Sequence, residues 1–462
     1  MGFFLGVDDR TALSGESERT RGSIDLRKGF VETAGLYPPQ PVLEKKEWSA
    51  IRDYFIENAP AEAIPQETKT PSVGDAAGFV PLSTKYGPPY AITSLVHIDE
   101  RSRSVLLFDA RLGRLTVLDQ ELEVLESHLS PGVTLVEAKA FLDDRLHLLS
   151  IGDLFAAEIG AKYGEVQLAK TDNGKLSGLE VLLEGLHRPS DMLLADFDGD
   201  GFEEVVVSNF GEYTGNLALY PGKRGGGFAS EAVVLNSQPG AVKSEAFDFD
   251  GDGRLDILVV QGHARENVSL YLNRGGLEFE QRVLLEKHPG FGYVDIELGD
   301  FNGDGKMDFL AVNGDNADSD PFNTLKRDHG IRIYLGDGSG NFEESYFYPM
   351  YGAFGAAVED FDGDGDLDIA AIAYHSDFRA ERPENFIYLE QSEEGGFRSR
   401  RLEAADKGRW LTINSGDLDG DGDAEIILGA AYLPVGIPPE QMDAYAELSR
   451  RGPAILVLDN QW

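Results

Sequence analysis

The nonapeptide DFDGDGRLD at residues 248–256 packs four carboxylates and two glycines into nine positions. Close copies begin at Asp196 (DFDGDGFEE), Asp300 (DFNGDGKMD), Asp360 (DFDGDGDLD) and Asp417 (DLDGDGDAE). Like charges at this density repel one another, so the pattern needs a physical reason. In a tightly curled loop, positions 1, 3 and 5 aim their side chains at one centre. The carbonyl of position 7 adds an oxygen, and position 9 closes the cage from the start of the next strand. Glycine at positions 4 and 6 permits the positive-φ turns that such curling requires. All these donors are hard oxygens, without His or Cys, which selects Ca²⁺. Mg²⁺ comes second, because it prefers few carboxylates and several waters.

The register gives five expected sites, numbered here as loops 1 to 5 in chain order. Loop 1 uses Asp196, Asp198, Asp200, the carbonyl of Phe202 and Glu204. Loop 2 uses Asp248, Asp250, Asp252, the carbonyl of Arg254 and Asp256. Loop 3 uses Asp300, Asn302, Asp304, the carbonyl of Lys306 and Asp308, with the neutral Asn302 lowering its affinity. Loop 4 uses Asp360, Asp362, Asp364, the carbonyl of Asp366 and Asp368. Loop 5 uses Asp417, Asp419, Asp421, the carbonyl of Asp423 and Glu425.

An EF-hand also begins D-x-D-x-D-G, but it requires a bidentate Glu at position 12. Position 12 here is Val207, Val259, Ala311, Ala371 or Leu428, each inside an apolar run. The setting is therefore strand–loop–strand. Asp-Gly runs are also common hairpin turns, and a single copy would leave the two readings level; five copies in one register favour cages.

Spacings between loops are 52, 52, 60 and 57 residues. Each loop leads into an apolar, β-branched run (EVVVS, DILVV, DFLAV, DIAAI, EIILG), then a variable polar stretch, a second run, a Gly-rich turn and a fourth strand-like segment. Two weaker units precede them at 90–129 and 133–187, the latter with DDR where the acidic loop would stand. Residues 78–462 divide into seven units of 55, each of four short strands. That is the pattern of an all-β, seven-bladed β-propeller of antiparallel blades, with six or eight blades as the alternatives because the two N-terminal units lack the acidic signature. The last unit ends after its third strand, AILVLDNQW, while GFVPLSTKY (78–86) is a spare strand expected to complete that blade.

Residues 1–77 lack the repeat and form a separate appendage and linker. Trp48, Ile51 and Phe55 mark one short helix, expected to pack as a small cap on the propeller domain of 78–462.

The chain has 41 basic and 81 acidic residues, a net charge of −40, which argues against nucleic acid and anionic membranes as partners. No stretch reaches the length of a membrane span, so no membrane insertion is expected. Cysteine is absent, which removes disulfides, thiolate metal sites and cysteine nucleophiles. MGFFLGVDD holds too short an apolar run for a signal peptide, and Gly6 stands where myristoylation needs Ser or Thr. Loops of this kind nevertheless suit compartments rich in Ca²⁺, so an extracytoplasmic location is expected, with any export signal upstream of Met1.

The five acidic loops resemble the calcium loops of FG-GAP/VCBS repeats, which build the propeller of integrin alpha subunits and of many exported bacterial proteins. FG-type turns precede two of them, in GFGYVDIELGDFNGDG and YGAFGAAVEDFDGDG. The resemblance covers 188–462 by motif and 78–187 by strand pattern, and it implies the fold and Ca²⁺. The segment LYPPQPVLEKKEWSAIRDYFIENAP has a fainter likeness to the end of a cytochrome-c-like domain, which would make the propeller a structural module of a larger redox protein. The haem motif C-x-x-C-H is absent, so no haem is implied.

Long polar loops between second and third strands (313–330, 374–385 and 431–452) are the expected surface for a protein or glycan partner. Tyr213, His263, Arg327, His329, His375, Arg379, Arg382 and Trp410 fall in or beside such loops. G-x-S-x-G, H-E-x-x-H and the P-loop are all missing, so a non-catalytic binding or scaffold role is expected. Some related calcium propellers cleave acidic polysaccharides. A lyase is therefore the enzymatic alternative, with Lys243, Tyr293 or Arg409 as the only bases offered to a central channel.

Overall fold

The computed structural model describes residues 42–462 apart from 71, 73, 75, 77, 131, 141–144, 155–162, 173–174, 212–213, 264, 317–322 and 393–395. Tyr213, the DDR stretch up to residue 144 and residues 1–41 thus lie outside the described residues.

Seven four-stranded antiparallel sheets follow one another along the chain. Blades 1 to 6 occupy 93–129, 134–186, 189–236, 241–286, 293–349 and 353–400. Blade 7 takes three strands from 410–460, and its fourth, Phe79–Leu82, comes from the other end of the chain. The spare strand pairs antiparallel with Ile455–Asn460, Phe79 opposite Asn460 and Leu82 opposite Val457, so the ring closes as the sequence indicates.

Second strands such as Asp256–Gln261 and Asp308–Asn313 are buried at every position, which is why they read as unbroken Val-, Ile- and Leu-rich runs. Outer strands face solvent on one side. Seven first strands ring the axis, and each carries a register shift within its first few residues. Such bulges sharpen strand twist and re-aim side chains, here toward the axis.

Apolar seams join neighbouring blades. Phe197, Phe249, Phe301, Phe361 and Leu418, the second residues of the five acidic loops, are buried in clusters shared with the following blade. Each loop thus drives a hydrophobic peg into the next sheet.

The helix Lys45–Asn58 forms with a capping box, Glu44 N–H donating to Glu47 Oε2 at 2.8 Å. It does not cap the propeller: none of its residues is buried, and Phe55 is 67% exposed. Tyr54 and Ile56 spread its apolar surface around the cylinder, leaving no single face to bury. The ring is met instead further along. Gln66 Nε2 donates to the His329 carbonyl at 2.7 Å, while Lys69 Nζ donates to the Pro349 carbonyl at 2.8 Å and pairs with Glu384. The loop 431–452 also differs from expectation. Its stretch MDAYAELSRR is a helix, Met442–Arg451, which buries Tyr445 and Ser449 and carries two arginines at its C-terminal end, where they suit the dipole.

Phe79 is 3% exposed and meets Phe361 and Tyr388 edge-on at 5.7 and 5.3 Å. Phe79→Ala should therefore cost about 3–5 kcal/mol of unfolding free energy in chemical denaturation. A loss below about 1 kcal/mol would show that blade 7 does not depend on its borrowed strand.

Candidate metal centres

The loops curl as the glycines allow: Gly199, Gly201, Gly251 and Gly253 have φ between 75° and 87°. Position 1 is the hub of the curl. Asp248 Oδ1 accepts from the N–H groups of Gly251 and Asp252 at 2.8 and 3.0 Å, and its Oδ2 from Gly253 at 2.8 Å. Asp196 repeats this with Gly199, Asp200 and Gly201 at 2.8, 3.1 and 3.0 Å. At position 5, Asp200 and Asp252 each accept from the N–H of position 7, at 2.9 and 3.0 Å.

Among the described residues, four loops gather three carboxylates with ligand atoms within 4.8 Å of one another: Asp196, Asp198 and Glu204; Asp248, Asp250 and Asp252; Asp360, Asp362 and Asp364; Asp417, Asp419 and Glu425. Loop 3, with Asn302 at position 3, is not among them. Asp250 Oδ1 is sealed from solvent without any hydrogen-bond partner. A buried carboxylate oxygen facing its own kind is unfavourable unless a cation completes the site, so the donor set fits a hard divalent ion.

Position 9 has a second role that the sequence did not reveal. Its carboxylate is buried, 0–2% exposed in all five loops, and in loops 1, 2, 3 and 5 both oxygens accept from main-chain N–H groups. One oxygen of Glu204, Asp256, Asp308 and Glu425 takes the N–H of position 2, at 2.8–3.0 Å. The other takes an N–H from the end of the third strand, such as Asn273 to Asp256 at 2.8 Å and Gly336 to Asp308 at 2.7 Å. In loop 4 Asp368 instead binds the Tyr388 hydroxyl at 2.5 Å and the Gln391 N–H at 2.8 Å. The residue is thus a clamp between its loop and the third strand of its blade.

Position 7 varies. Arg254 contacts Asp252, and Lys306 Nζ lies 3.1 Å from Asp304 Oδ2, so in loops 2 and 3 a basic side chain competes for a position-5 carboxylate. Loops 4 and 5 add Asp366 and Asp423 there, and Asp366 Oδ1 is buried without a partner.

On the axis lies a cavity of about 1130 Å³ lined by all seven first strands. One sector is charged, with Glu137, Lys139, Asp191, Lys243, Glu245, Asp295 and Glu297. The facing sector is small or neutral apart from Glu359, with Gly355, Ala357, Thr412 and Asn414. The three residues considered as a lyase base differ in their settings. Lys243 Nζ donates to Asp295 at 2.8 Å and Glu297 at 2.6 Å. Burial disfavours its charge, but the surrounding carboxylates outweigh burial and hold the ammonium well above its ordinary range. Burial likewise drives the Tyr293 hydroxyl upward. Arg409 is 2% exposed, stacks 3.8 Å over Tyr374, and donates to the carbonyls of Tyr374 and Val435 at 3.0 and 2.7 Å.

The loop-face residues also divide. Trp410, His329 and His375 are buried structural groups, 0–1% exposed. Arg379 and Arg382 remain at the surface, bridging to Glu440 at 2.9 Å and to Asp406 at 2.5 Å.

Burial raises the position-9 carboxyls: Asp256 to about 6, Asp368 and Glu425 to about 7. Their hydrogen-bond donors pull the other way, and neighbouring loop carboxylates push further up. Because the folded state binds these protons more tightly than the unfolded chain, their contribution is complete at low pH and is lost as pH rises through 6 to 7. Metal-free protein in EDTA should melt several degrees higher at pH about 5 than at about 7.5, and calcium, which favours the charged form, should reverse that order. Melting curves independent of pH in EDTA would contradict it.

A family profile described as an FG-GAP-like repeat matches residues 196–259, 248–311 and 316–371. A search of curated proteins returned no significant match. The matched segments take in loops 1 to 4 with the buried strands that follow them, inside a closed ring of seven blades. The chain is a seven-bladed β-propeller that carries FG-GAP-like repeats in three places.

Proposed function

We propose that this propeller is a calcium-stabilised scaffold that presents its long 2–3 loops to a protein or glycan partner outside the cytoplasm, without catalysis of its own. The observation that carries the calcium part is the gathering of three carboxylates within 4.8 Å in each of four loops, with Asp250 Oδ1 buried and unpartnered. In the proposed sites the side chains of positions 1, 3, 5 and 9 and the carbonyls of Phe202, Arg254, Lys306, Asp366 and Asp423 face the ion. Calcium would supply charge neutralisation: five ions would offset ten of the forty net negative charges. The protein's own residues do the rest, curling each loop around position 1 and tying it to the sheet through position 9.

The partner part rests on the contrast between the two faces. One face is committed to acidic loops and short turns. The other carries the long insertions of blades 5, 6 and 7, with the Arg379–Glu440 pair joining loops of blades 6 and 7. Adaptable loops on a rigid scaffold are the usual seat of recognition. Placement outside the cytoplasm follows from calcium supply, since extracellular modules of this ligand type bind at ~10⁻⁴–10⁻³ M. No helix among the described residues is long and apolar enough to cross a membrane.

Calcium titration followed by thermal unfolding tests the first part. Each site held at a hundredfold its Kd should add about 2.7 kcal/mol, and Asp250→Asn should remove one site's share. A melting curve that EDTA leaves unchanged would overturn the proposal. Loop 3, with Asn302 and with Lys306 on Asp304, should be the weakest site in its own right, and Lys306→Ala should tighten it severalfold. For the second part, a screen of glycans and surface proteins should yield a partner whose binding falls in an Arg379→Ala/Arg382→Ala variant and survives Asp198→Asn. Equal loss in both variants would move the interface off the loop face.

A further inference from the structure

The five loops are not equally connected. At the end of the third strand of blade 4, Asn273 makes two bonds that belong to different loops. Its backbone N–H donates to Asp256 Oδ1, position 9 of loop 2, at 2.8 Å. Its side-chain Nδ2 donates to the Phe197 carbonyl, position 2 of loop 1, at 2.8 Å. In blade 6, Gln391 repeats the arrangement: its N–H reaches Asp368 of loop 4 at 2.8 Å and its Nε2 reaches the Phe301 carbonyl of loop 3 at 3.1 Å. In blade 7, Asn460 N–H reaches Glu425 of loop 5 at 3.5 Å and its Nδ2 reaches the Phe361 carbonyl of loop 4 at 2.7 Å. All three side chains are in the interior or partly so.

Blade 5 breaks the series. The equivalent residue is Gly336, whose N–H reaches Asp308 at 2.7 Å but which has no side chain to send to loop 2. None would fit, because a Cβ there would lie 2.2 Å from the Met307 carbonyl. At this same seam a cleft of about 190 Å³ opens between loop 2 and blade 5, lined by Phe249, Gly251, Gly305, Lys306, Gly338 and Phe342.

We propose that the loops bind calcium as two cooperative blocks, loops 1–2 and loops 3–5, coupled by the amides of Asn273, Gln391 and Asn460 and uncoupled at Gly336. The proposal rests on the calcium reading above. Position 2 lies between two ligand-bearing residues, so its carbonyl turns with the curl of the loop. Drawing position 9 of one loop onto an ion fixes the strand end whose amide holds the neighbouring loop in its curled form. Each ion thus prepays part of the ordering for the next, which is a coupling free energy carried by a continuous chain of bonds.

Two measurements on the full chain test it. Native mass spectrometry during a Ca²⁺ titration should show species with two, three and five ions in excess of a binomial distribution. For a site-resolved reading, Phe202→Trp places a sensitiser at loop 1, and the Tb³⁺ emission gained over the parent protein reports that loop. Adding Asp250→Asn, which disables loop 2, should weaken Tb³⁺ binding at loop 1 by about fivefold or more. In an Asn273→Asp background, which keeps the shape but loses the amide donor, Asp250→Asn should leave loop 1 unchanged. Adding Asn302→Ala in loop 3 should not affect loop 1 in either background. Ions filling a binomial distribution, with loop 1 indifferent to Asp250→Asn, would overturn the coupling and leave the calcium reading intact. Absence of any bound ion would overturn both. Should Asn273→Asp fail to fold by circular dichroism, Gln391→Glu applies the same test between loops 3 and 4.

Discussion

A carboxylate buried at the start of each second strand is the constraint on which the acidic half of this ring depends. Burial of a charge is tolerated only where hydrogen bonds or an opposite charge repay the lost water. At Glu204, Asp256, Asp308, Asp368 and Glu425 the repayment comes from donors on two sides, most of them N–H groups of the loop and of the third strand. One side chain therefore sets the loop, the sheet and their mutual angle. The carboxylates gathered above it make sense only because this anchor holds the loop curled in the first place.

Much of the architecture was legible because it repeats. The spacing of DFDGDGRLD and its copies fixed the unit length, and the buried second strands announced themselves as runs such as DILVV that need no alternation. Even ring closure could be read, since AILVLDNQW ends one strand short and GFVPLSTKY is one strand over. Periodicity failed where residues do not repeat. The helical stripe Trp48, Ile51 and Phe55 correctly marked a helix but said nothing of whether a surface waits for it. MDAYAELSRR follows directly on the loop-like Pro438 and Pro439, which mask a decapeptide that is itself rich in helix formers.

At the candidate sites, positions 1, 3, 5 and 9 were visible from charge and spacing, while the amides of Asn273, Gln391 and Asn460 were not. They lie 17, 23 and 35 residues past the ends of their own loops, and each acts on a loop one blade back, a contact that no local pattern encodes. The hydrophobic residue at position 2 did leave a signal. It is Phe or Leu in all five copies, an odd choice for an exposed acidic turn unless it is a peg. The channel shows the converse limit. The sequence offers Lys243 as a charge for the central channel, but only the three-dimensional neighbourhood shows it neutralised by Asp295 and Glu297.

The borrowed strand of blade 7 has a kinetic corollary. Phe79–Leu82 leaves the ribosome long before its hydrogen-bonding partner, Ile455–Asn460, has been made. Until then it is an apolar edge segment with nothing to pair with, and blades 1 to 6 form an open arc with two raw ends. Topologies dominated by such distant pairings fold slowly and expose sticky intermediates. The heavy negative charge of this chain, spread over loops that stay at the surface throughout, supplies mutual repulsion between nascent arcs during that wait.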